Sequence, residues 1–171
     1  MKKIKLICLL ALSFPVCVFS QKKITLKDAN NDSVNYMSYF GELHKISKEK
    51  LNGLKESNYC YVTLTIGSDG KLTNFDILKI PDLPLEKLTE DYLKFLFLSA
   101  DGNWNISNSG ISKKGITTLM FSISIVKSDQ NLEKRSLNGA KMFEYNLTQL
   151  SSKQLSIGIP PGSELPLALA L

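Results

Sequence analysis

The chain has 171 residues, with 21 Lys and Arg against 16 Asp and Glu, a net charge of +5. Lys2, Lys3 and Lys5 belong to a leader, which leaves 18 basic residues against 16 acidic ones. So small a surplus gives no electrostatic basis for nucleic-acid binding, and the remaining length, about 150 residues, buries a single-domain core without disulfides.

The leader is read from three features. Lys2, Lys3 and Lys5 form a positive start, Leu6 to Phe19 is an apolar run interrupted by Pro15, and Val18-Phe19-Ser20 offers a signal-peptidase site. The run is shorter than the roughly 20 apolar residues that span a bilayer as a helix. The pattern predicts a signal peptide over 1–20, cut after Ser20, and a periplasmic or secreted mature chain with no stable membrane span. Lipidation at Cys17 is disfavoured by the bulky Phe14-Pro15-Val16 before it. Cys8 and Cys17 leave with the leader, so Cys60 is the one cysteine of the mature chain and makes no internal disulfide.

Residues 21–33 are polar and weakly patterned and read as a mobile lead-in, with Ile24 and Leu26 able to make a short strand. Met37 to Leu54 reads as a helix, its apolar face formed by Met37, Phe40, Leu43, Leu51 and Leu54. His44, beside Glu42 and Lys45, reads as a solvated or boundary residue. Tyr59 to Ile66 alternates Cys60, Val62, Leu64 and Ile66 onto one face, the pattern of a strand that buries Cys60 as a small hydrophobe. Gly67-Ser-Asp-Gly70 supplies a tight hairpin turn.

A second strand spans Lys71 to Ile80. Leu72 is out of phase with Phe75 and Ile77, which predicts a β-bulge near Thr73-Asn74 or a strand beginning at Asn74. Pro81-Asp-Leu-Pro84 breaks it and opens a helix from about Leu85 to Ala100, with Asp82 as cap. Gly102 is placed for a left-handed cap, and Trp104 closes an edge of the core. Gly110 and Gly115 punctuate a polar loop. Ile116 to Val126 is a strand with Leu119, Phe121, Ile123 and Ile125 on the buried face and Thr118, Met120, Ser122 and Ser124 on the solvent face. Residues 127–171 form an extension packed on the domain, with loosely helical spacing over Ala140 to Leu155 and an apolar end, Leu165 to Leu171.

The order strand, Asp-Gly turn, strand, amphipathic helix, tryptophan, strand resembles the C-terminal domain of TonB, the periplasmic energy transducer of Gram-negative bacteria. The pieces that carry the likeness are Val62 to Leu78, the helix beginning at Leu85, Trp104, and Lys113-Lys-Gly115 leading into the final strand; together they cover about half of the mature chain. The resemblance implies an α+β fold over 34–126, a three-stranded antiparallel sheet packed against two helices. It also implies a role in protein binding. TonB itself engages a short segment of outer-membrane receptors by strand pairing. Departures are plain: no proline-rich spacer is present, Asn105-Ile106 stands where many relatives have a proline, and a 45-residue extension follows. The expectation is a periplasmic relative that kept the binding module without the drive.

If the last strand is the open edge of the sheet, its backbone accepts a partner strand while Thr118, Met120, Ser122 and Ser124 tune selectivity. The partner would be an outer-membrane receptor or another envelope component. The alternative is a secreted or envelope structural protein that assembles through the same edge, as a homo-oligomer. No catalytic, cofactor or metal set is legible. The lone His44 has no partner at metal-ligand spacing, no glycine-rich phosphate loop precedes a helix, and Cys60 is expected inside, where a reactive thiolate is disfavoured.

Overall fold

A computed structural model describes residues 24–106, 116–127, 129, 131–145 and 165–170. The expected leader, the Lys113-Lys-Gly115 lead, Gly110 and the stretch 146–164 lie outside the described residues.

The lead-in from Ile24 onward is structured, which corrects the expectation of a mobile segment. Thr25–Lys27 forms β1 and Ser33–Asn35 forms β2, an antiparallel pair. Between them Asp28 accepts from the amides of Asn30 and Asp32, closing the turn. β1 also pairs with the two-residue strand β5, Trp104–Asn105, in the register Leu26↔Trp104. Ile24 and Leu26 are buried. Burial of each such aliphatic side chain is worth about 1.5–3 kcal/mol, enough to order a short polar segment.

Asn35 then caps α1, Tyr36–Ser47, by accepting from the Met37 amide at 2.8 Å. The helix tightens into a 3₁₀ turn over Lys48–Leu51. Its buried row is Tyr36, Phe40, His44, Ser47 and Leu51, at spacings of three and four. Met37, expected on this face, is 51% exposed. The apolar stripe begins one residue earlier, at a tyrosine.

The main sheet is built on Asn58–Gly67 (β3), Leu72–Lys79 (β4) and Ile116–Val126 (β6), antiparallel in the order β4-β3-β6. The expected bulge is present. Thr65 pairs with Asn74 and Ile66 with Leu72, so Thr73 is the inserted residue, and its hydroxyl donates to the Thr65 carbonyl. A fourth strand, β7 (Leu165–Ala170), joins β6 in parallel and extends the expected three-stranded antiparallel sheet.

α2, Lys87–Leu98, packs with α1 on one face of this sheet. The expected cap Asp82 instead takes a positive φ of 60°. Glu86 precedes the helix, and its carboxylate accepts from the amides of Lys55 and Glu56. The core between helices and sheet is aromatic. Phe121 meets Tyr36, Phe40, Phe97 and Trp104, ring centroids 5.1–6.2 Å apart. α3, Leu132–Tyr145, covers the opposite face, where Met142 and Tyr145 pack with Tyr59, Tyr61, Ile80, Leu83 and Met120.

Candidate partner-binding edge

An added strand needs backbone groups pointing away from the sheet, and the hydrogen bonds show which residues have them. Gly67 N–H donates to the Lys71 carbonyl at 2.9 Å, and Tyr59 N–H to the Pro84 carbonyl at 3.1 Å. The odd-numbered residues of β3 therefore turn their backbone groups toward β4, and the even-numbered ones toward β6.

On β6 this leaves Thr118, Met120, Ser122 and Ser124 directed away from β3, the four residues expected to line a docking edge. Two findings correct that expectation. β7 lies along the outer flank from Phe121 to Val126, with Ser122 opposite Pro166 and Ser124 opposite Ala168. Over that stretch β6 is an interior strand. Their side-chain face is also covered. Met120 is 1% exposed against α3, while Thr118, Ser122 and Ser124 are half-buried, with Ser124 Oγ 4.0 Å from Met142 Sδ. The solvent face became a second core because the extension supplies an amphipathic helix that the strand pattern alone does not reveal.

β4 and β7 are the two outermost strands of the main sheet among the described residues, and β4, Leu72–Lys79, is the longer of the two. Asn74, Asp76 and Leu78 pair with Thr65, Thr63 and Tyr61 and point inward. Phe75, Ile77 and Lys79 then direct their N–H and C=O groups outward. The bulge at Thr73 shifts the phase by one residue, so the Leu72 amide also points outward and donates to Asp101 Oδ1 at 2.8 Å. The free stretch is therefore Phe75 to Lys79, closed at one end by Asp101.

α2 forms the wall beside this edge. Glu90 meets Lys79 at 2.7 Å, and the Phe97 ring packs at a tilt against Phe75 with centroids 6.0 Å apart. Glu90 and Asp101 contact β4 at Lys79 and Leu72, and Lys94 follows Glu90 by one turn on the same flank. Leu98 is 54% exposed. The hydrogen bond from Lys79 holds the Glu90 carboxyl below the ordinary range, partly offset by its burial. Sequence reading missed this edge. The signals were present in the bulge at Thr73 and the charges at Asp76 and Lys79, which belong to edge strands rather than central ones.

Residues weighed for chemistry fall inside the core. His44 is 6% exposed, which corrects the solvated placement; its Nδ1 lies 2.8 Å from the Tyr92 hydroxyl, which lies 3.2 Å from Ser47 Oγ. Burial raises the Tyr92 phenol, and the Ser47 hydrogen bond opposes this. The group joins α1 to α2. No group of three or more metal-ligating side chains forms among the described residues. Cys60 is fully buried, as expected, and its thiol is pushed up to about 12, first by burial and then by the charge of Glu90.

That shift has a sign. A thiol raised in the folded state contributes stability that is complete below its unfolded value and is lost as pH rises toward 12. Denaturation midpoints are expected to fall between about pH 9 and pH 12 more steeply in the wild type than in Cys60→Ala. Parallel slopes would show that the thiol ionises alike in the folded and unfolded states.

No helix among the described residues is long and apolar enough to cross a membrane. Searches against family models, curated proteins and solved structures gave no match to this chain.

Proposed function

We propose that this chain is a non-catalytic protein-binding module of the cell envelope, related to the TonB C-terminal domain, that takes a partner segment by strand addition at β4. The observation that carries the reading is the set of three outward N–H and C=O pairs at Phe75, Ile77 and Lys79, on a strand with one described neighbour. Unpaired strand groups of this kind are satisfied by an added strand at little structural cost. The buried, unreactive setting of Cys60 and the enclosed His44 support a role without catalysis. The leader pattern supports export and an envelope partner, an outer-membrane receptor among the possibilities of that class.

Ile77→Pro tests this directly. Its amide points outward, so proline removes no hydrogen bond to β3 but deletes a donor from the docking edge. The expected result is a folded protein, by circular dichroism and denaturation, that no longer crosslinks its envelope partner. Asp76→Pro, whose amide faces Thr63, is the contrast and should destabilise the sheet itself. Equal partner recovery by Ile77→Pro and wild type would sink the reading. Concentration-dependent size in solution, abolished by Ile77→Pro, would favour the assembly alternative.

A further inference from the structure

We infer that the β4 edge selects an extended segment that is apolar at alternate positions on its helix-facing side and carries a carboxylate within reach of Lys94. This rests on the strand-addition reading above. The first step is the pleat. Residues of an added antiparallel strand that bond to Phe75, Ile77 and Lys79 lie directly opposite them and share their face. That face is the α2 side, where Phe75 and Ile77 belong to the rim of the main core and are half-buried. Alternate side chains of the incoming segment therefore meet apolar surface at Phe75 and Ile77. Side chains on the other face meet Asn74 and Asp76, both exposed and polar, and are read weakly.

The second step is charge. Lys79 is paired with Glu90, and Lys87 with Glu90 and Asp91. Lys94 lies one turn before Phe97, near enough to Glu90 to act on its carboxyl, yet makes no ion pair among the described residues. Three cations thus surround Glu90 and Asp91 at the Lys79 end of this wall. The uncompensated one is Lys94, level with the Ile77 to Lys79 end of the edge. A carboxylate on the added strand completes the set; a cation there faces three others.

The test uses three synthetic peptides of equal length with labelled ends: one alternately apolar and bearing Glu, one with Lys in its place, and one with the same composition scrambled. The Glu peptide is expected to bind about fivefold tighter than the Lys peptide at low salt, near the ceiling for one exposed ion pair. The scrambled peptide should bind more weakly than either. The preference should vanish in Lys94→Gln and invert in Lys94→Glu, while the amide resonances of Phe75, Ile77 and Lys79 shift on binding. Equal affinity for the Glu and Lys peptides, with both lost in Ile77→Pro, overturns the charge selection and leaves strand addition standing. Undiminished binding to Ile77→Pro, or no binding of any peptide, overturns strand addition itself.

Discussion

Gly70→Ala is expected to lower stability by about 2–4 kcal/mol, a loss that reflects two costs acting at one atom. Gly70 has φ of +78°, where a side chain is strained. An added Cβ would also stand 2.5 Å from the Trp104 carbonyl oxygen and 3.4 Å from the Gly102 carbonyl oxygen. Both are backbone atoms and cannot swing aside. The β3–β4 turn is docked on the segment that joins α2 to β5, with the Gly102 amide donating to the Gly70 carbonyl at 3.0 Å. Gly102 provides the control. Its φ is also +78°, but a Cβ there meets nothing within 4 Å. Gly102→Ala should therefore cost only about 1 kcal/mol, the conformational share alone. Urea midpoints of the two variants decide the matter; equal losses would mean that the contact with Trp104 relaxes freely.

This pair also marks where sequence reading succeeded and where it stopped. The Asp69-Gly70 turn, the bulge at Thr73, the left-handed Gly102 and the buried Trp104 were all legible, because each is set by local backbone chemistry or by one large side chain. The contact of Gly70 with Trp104 was not, since nothing in a turn motif states what docks against it. The same limit explains the other differences. Asp82 has the chemistry of a helix cap, but the helix begins after Glu86, whose carboxylate is held by the Lys55 and Glu56 amides from a distant loop. His44 looked solvated beside Glu42 and Lys45, yet its own helical phase places it with Phe40 and Ser47, and Tyr92 satisfies it inside. The edge was misplaced for a related reason. The alternation in β6 correctly separated its two faces, and both turned out to be covered, one by α1 and α2 and the other by α3. Which strand lies outermost depends on pairings between residues far apart in sequence, and β7 pairs with β6 across about 40 residues.

Leu167→Ala combined with Leu169→Ala is expected to cost about 4–6 kcal/mol, since single buried leucines lose roughly 2–5 kcal/mol on truncation and an edge strand sits at the low end of that range. Each leucine is 3% exposed and belongs to the main core. A loss of that size is a large share of the stability of an ordinary domain, roughly 5–15 kcal/mol, and β7, paired on one flank only, should detach before the antiparallel strands separate. Leu98→Ala, at a half-exposed leucine on α2, should change stability by less than about 0.5 kcal/mol. Detachment has a second consequence. The outward groups of Ser122 and Ser124 would be released, and β6 would become a bare edge prone to pairing between molecules. Size-exclusion at rising concentration should then report association by the double variant under conditions where the wild type keeps its size. If the double variant keeps wild-type stability and size, β7 is a peripheral strand, β6 is the true rim of the sheet, and the docking surface moves from β4 back to Thr118, Met120, Ser122 and Ser124.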